Sequence, residues 1–209
     1  MAAQASRGVV AATRIAAGDD RTRYDAVART LHWLTVVLVL TQFGLAQVWG
    51  YFPRPERHVL IVAHMSFGIL LAATVVVRIG WRAGHQMPLA VSGWVERASK
   101  AVHYVLYGLL VSEAVLGFLL RWSGNQAMSF FGLLIPPPFA PFAKPAQHLI
   151  GDIHNWVGWT IIILAVGHAG AALFHHFVLR DDVLWRMLPG RHARLAEAPA
   201  GSPEGASQG

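Results

Sequence analysis

The 209-residue chain contains no cysteine. That excludes disulfides, thiolate zinc sites, iron–sulfur clusters and covalent c-type haem attachment, and makes the fold indifferent to the redox state of its compartment. Charge is scarce as well. Asp, Glu, Lys and Arg make up 13% of the residues, where soluble domains carry about a quarter. Acidic side chains are the rarer sign, 11 against 17 Lys and Arg, which leaves a formal net charge of +6. The arginines fall between apolar runs rather than as a stripe on one face, so the excess reads as membrane topology and a nucleic-acid partner is excluded. What is abundant is apolar: 55% of residues are hydrophobic, with eight Trp and ten Phe suited to anchoring at a lipid interface.

A spanning helix needs about 20 mostly apolar residues. Four stretches meet this, at roughly 31–50, 59–80, 102–120 and 153–178, and predict an all-α membrane protein, a four-transmembrane-helix antiparallel bundle. Residues 1–22 and 190–209 read as disordered flanks of a domain covering 23–189, and residues 21–30 as a short interfacial helix. Residues 1–28 carry scattered arginines without a continuous apolar core, unlike a signal peptide. Counting Lys and Arg by segment sets the orientation. The N-terminal segment (Arg7, Arg14, Arg21, Arg23, Arg29), the second connection (Arg78, Arg82, Arg97, Lys100) and the tail (Arg180, Arg186, Arg191, Arg194) outnumber Arg54, Arg57, Arg121 and Lys144 on the other side. The positive-inside rule then places both termini in the cytoplasm. The long third connection, 121–152, carries an apolar run and then Pro136, Pro137 and Pro138, and is expected to form a short amphipathic segment on the outer surface that covers something beneath it.

Histidines sit inside or at the ends of every span: His32, His64, His103, and His154 with His168. An ionisable residue in a membrane is a functional candidate, and neutral imidazole is a common axial ligand of haem iron. A site for a bare transition metal would bring carboxylate or sulfur to the imidazoles, whereas this set is almost all imidazole. His154 and His168 are fourteen residues apart, which puts both on one helix face, about 21 Å apart along the axis. Depth matches His64 to His154 on the outer side. On the inner side His32 can pair with His168 or with His175, which shares the same face. Gly68, Gly158, Gly167 and Gly170 flank these histidines and would let a flat group approach the backbone. His58, His85 and His192 read as loop or surface residues. Glu113, in the middle of the third span, must be protonated or paired at that depth; it could relay protons or pair with a polar neighbour such as Gln42.

These residues carry a family resemblance. Tyr24–Trp33 ending in Leu-His-Trp, His-Met-Ser-Phe-Gly from His64, Asp-Ile-His-Asn-Trp from Asp152, Gly-His-Ala-Gly-Ala-Ala-Leu-Phe-His-His from Gly167, and Asp-Asp-Val-Leu-Trp-Arg-Met-Leu-Pro ending at Pro189 resemble the bacterial cytochrome b561 family. The resemblance implies a bundle enclosing two haem b groups in the bacterial inner membrane. It assigns the axial ligands His32 with His168 to the inner haem, and His64 with His154 to the outer one. It further implies electron transfer from superoxide, or another periplasmic donor, to ubiquinone, as in superoxide oxidase-like members. His103 and His175 become candidates for the quinone pocket, and Arg54, Arg57, Arg121 and Lys144 for attracting the anion. Asn155 stands where the family has a glutamate. Two other readings compete: the membrane anchor of a dehydrogenase or hydrogenase complex, and a histidine-lined metal or solute transporter. A homodimer or a partner subunit is left open.

Overall fold

In a computed structural model, the described residues are 25–85, 93–181, 184–185 and 187–188. The flanks expected to be disordered, and His192, lie outside them. Four long helices follow one another: α1 (Ala26–Val48), α2 (Arg54–Gly84), α3 (Gly93–Ser123) and α4 (Lys144–Phe174). A 3-10 turn, Trp49–Tyr51, extends α1, and a π turn, His175–Leu179, closes α4. All four are long and apolar enough to cross a membrane, and most of their surface is exposed within the chain, as side chains facing lipid are.

The helices are longer than hydropathy alone indicates, because polar end turns are invisible to it. Asp25 caps α1, its Oδ1 accepting from the Ala28 N–H at 2.7 Å. Helices α2 and α4 each begin with proline in the first turn, Pro55 and Pro145, where the missing N–H costs no hydrogen bond. Helix α4 thus starts nine residues earlier than the sequence predicts, and the third connection shrinks to residues 124–143.

That connection is not an amphipathic helix. It forms a β-hairpin, β1 (Met128–Phe130) paired antiparallel with β2 (Leu133–Ile135) in the register Phe130↔Leu133. Its two-residue turn, Phe131 and Gly132, has positive φ at both positions (47° and 95°), the backbone of a primed hairpin turn. The expectation of a cover is met: the fully buried Ser66 of α2 donates its hydroxyl to Ser129 O at 3.3 Å and accepts from the Phe131 N–H at 2.8 Å, pinning the hairpin over the bundle end.

Helices α1 and α2 pack closely, as do α3 and α4, and the two pairs meet through α2 and α3. Helix α4 has no comparably close backbone neighbour in α1 or α2. The tightest packing lies halfway along, where Val75, Leu110 and Ile161 are buried against Val39, Leu71, Leu109 and Val157. All four helices contribute to this apolar plug, and the histidines lie above and below it.

Candidate functional site

Two pairs of imidazoles face each other, one at each end of the plug. At the hairpin end, His64 and His154 each sit ten residues into their helices, with ring centroids 6.4 Å apart and planes at 81°. At the end bearing the chain termini, His32 lies six residues into α1 and His168 six residues before the end of α4. Their centroids are also 6.4 Å apart, at 72°. His175 does not face His32; it begins the π turn, and its Nδ1 lies 2.5 Å from Asp181 Oδ2. His103 leans its ring edge on His168 at 5.0 Å while its Nδ1 bonds Ser99 O. His85 is exposed, as expected of a surface residue, and stacks on Trp81 (4.1 Å, 6°).

The hairpin-end pair opens on a cavity of about 590 Å³, within the range of cofactor sites, about 300–1,000 Å³. Its walls include Gln42, Trp49, Glu113, Arg121 and Met128 of the hairpin. Gln42 does not meet Glu113 as expected; it lies beside Gly68, where an added Cβ would come within 2.6 Å of its Nε2. A Cβ at Gly117 would touch His154 at 3.5 Å. The space at Gly68 is taken by the Gln42 side chain, and the contact at Gly117 is an ordinary van der Waals one. Gly167 and Gly170 have open space around them.

The four cationic candidates separate. Arg57 donates to Gly50 O and Phe52 O and so fastens the first connection. Lys144 bonds Gln147, and Arg54 opens α2. Arg121 reaches the cavity wall, donating to Gln126 Oε1 and Ala127 O.

The ligand chemistry can be tested against these facts. Among the described residues no group of three or more His, Cys, Asp or Glu is placed to hold a metal ion. A tetrahedral or octahedral ion would lack protein ligands. Two imidazoles alone suit an ion whose remaining ligands come from a macrocycle. Two metal–imidazole bonds of about 2 Å, with about 1.1 Å from each nitrogen to its ring centre, would put the centroids about 6.2 Å apart. Both pairs are set at that spacing. His64 Nδ1 bonds Gln42 O at 3.2 Å, which fixes its proton there and leaves the Nε2 lone pair for a metal. Of the five buried side-chain atoms without a hydrogen-bond partner among the described residues, four line this cavity: Gln42 Oε1, Glu113 Oε2, Arg121 Nε and His154 Nδ1. Arg121 Nε–H is a donor suited to a carboxylate such as a haem propionate. The residues fit haem.

An apolar four-helix bundle with facing imidazole pairs defines the class of membrane-embedded cytochromes b. The chain belongs to the prokaryotic cytochrome b561 family, whose model matches residues 23–190. It is 32% identical over 178 residues to cytochrome b561 homolog 2 of Escherichia coli (strain K12), covering 79% of this chain and 91% of that protein. Cytochrome b561 homolog 1 of the same strain is 29% identical over 175 residues (81% and 98%). A probable superoxide oxidase CybB of Yersinia pestis is 26% identical over 174 residues (80% and 96%). Membership implies haem b as cofactor and electron transport in a membrane as the setting.

Proposed function

We propose that the chain carries electrons across the bacterial inner membrane through two haem b groups, one held by His64 and His154 and the other by His32 and His168. The observation that carries this reading is the repeated 6.4 Å imidazole spacing at two depths of one bundle. Bis-imidazole haem offers one-electron transfer with no open iron position. The chain's own residues hold the groups at fixed depth, exclude water through the Val75–Leu110–Ile161 plug, and orient the ligand nitrogens. The Lys and Arg distribution supports cytoplasmic termini, which makes the hairpin end periplasmic.

The electron donor proposed is superoxide on the hairpin side and the acceptor ubiquinone on the terminal side, making the chain a superoxide:ubiquinone oxidoreductase. The similarity to a probable superoxide oxidase supports this. Arg121, in the wall of the hairpin-end cavity, is the proposed attractor of the anion. His103, beside His168, and His175, held by Asp181, are the proposed quinone contacts. Stopped-flow mixing of the oxidised protein with superoxide tests the reading directly. Reduction of the haems, followed by reoxidation on adding a ubiquinone analogue, is expected. Haems that stay oxidised under superoxide but reduce with a dehydrogenase partner would favour the membrane-anchor reading instead.

A further inference from the structure

One buried carboxyl has no role in the arrangement so far. Glu113 stands ten residues before the end of α3 and lines the cavity. Its Oε1 is 3.2 Å from Nδ1 of His154, an ion-pair distance without hydrogen-bond alignment. Its Oε2 and the His154 Nδ1 are both buried without a hydrogen-bond partner. Buried polar atoms are normally hydrogen-bonded, and here two without a partner belong to neighbouring side chains. The space for the carboxyl is made on α4 itself. A Cβ at Gly158, one turn beyond His154, would lie 3.2 Å from Glu113 Oε1.

The opposite ring shows what is needed. His64 gives its Nδ1–H to a main-chain carbonyl, Gln42 O, across the α1–α2 contact. Helix α4 packs instead against α3, and there it is the Glu113 carboxyl that lies at the Nδ1 of His154. We propose that Glu113 is the positioning residue of His154. Its carboxyl oxygen accepts the Nδ1–H, fixing the tautomer and turning the Nε2 lone pair into the cavity. The inference rests on the reading of His154 as an axial ligand. Histidines that bind metals commonly give their second ring proton to a carboxylate or a carbonyl, which orients the ring and makes it a more basic ligand. A more basic ligand favours oxidised iron, so Glu113 lowers the potential of the haem at the hairpin end and leaves the other unchanged.

The test is a redox titration with low-temperature EPR on the full-length, haem-loaded protein in detergent, comparing E113L, E113Q, E113D and H154A. E113L is expected to raise the potential of one haem and shift its low-spin EPR signal. E113Q, which keeps an oxygen acceptor at the same reach, should return both toward the unmodified protein. An E113L protein with both potentials and both signals unchanged overturns the proposal, as does E113Q shifting them as far as E113L. If E113L does not retain haem, E113D reads the same quantity: its carboxyl is withdrawn by one methylene, and an unmoved potential again overturns the proposal. H154A separates the two levels. Loss of one haem upholds the ligand reading on which Glu113 depends, whereas retention of both overturns that reading.

Discussion

The hairpin-end and terminal-end histidine pairs share their spacing and differ in what touches their outer nitrogens. At the hairpin end both Nδ1 atoms have oxygen neighbours, a backbone carbonyl hydrogen-bonded to His64 and a carboxyl 3.2 Å from His154. At the terminal end the Arg78 guanidinium donates to Nδ1 of His32 at 2.7 Å, while its Cζ lies 5.2 Å from the centre of the Tyr107 ring. A guanidinium only donates, so His32 has a cationic neighbour at its Nδ1 where the hairpin-end rings have oxygen atoms. The lesson is that helix geometry sets the distance between two ligands, and the neighbours of those ligands set their electronic character.

The largest test of this comparison removes one pair at a time. H64A should cut haem content from two per chain to one, and H32A should do the same, with the surviving haem spectroscopically different in the two variants. A haemochrome assay with redox titration reads both. Loss of both haems from either single variant would break the separation of the sites. A middle-sized effect is expected of R78L. Removing a cation beside His32 favours oxidised iron, so the potential of the terminal-end haem should fall while that of the hairpin-end haem stays fixed. Equal movement of both would mean that Arg78 acts through the general field of the bundle.

The smallest effect is expected at Asp25. Burial works to raise its carboxyl, but hydrogen bonds from Ala28 N–H and Trp81 Nε1–H, with His85 nearby, outweigh it and hold the group below the ordinary carboxylate value. A lowered value means that its contribution is present above the ordinary carboxylate range and is lost as pH falls through the lowered value. D25A should cost about 1 kcal/mol, the usual worth of a helix N-cap, measured as a drop in thermal midpoint at neutral pH. The difference from the unmodified protein should vanish in acid. A drop that persists in acid would mean that packing rather than the carboxylate carries the effect.

Much of this was readable from the chain alone. Four spans follow from hydropathy, and the fourteen-residue spacing of His154 and His168 places two imidazoles on one face by helical arithmetic. The choice between His168 and His175 as the neighbour of His32 was open on depth, and the structure resolves it by bringing His168 opposite. The early starts of α2 and α4 were marked by Pro55 and Pro145, a local signal that a hydropathy window averages away. The hairpin was harder to read: three-residue strands are too short for an alternation pattern, and Phe131 is an unusual residue at a turn position with positive φ. Glu113 was visible as an anomaly, but its neighbour was not. Which side chain of α4 it meets depends on the rotation of two helices about their own axes, and no spacing within either helix encodes that.

The position of α4 in the chain has one more consequence. It contributes the second histidine to both pairs, and it is the last of the four helices to be synthesised. Until it inserts, the first three helices bring only His64 to the hairpin-end level, and His32 with His103 to the other. On the proposed ligand assignment, cofactor loading is a late event in biogenesis, because both sites are completed when this single segment docks. A ribosome stalled before residue 154 would leave a membrane-inserted protein unable to retain either prosthetic group.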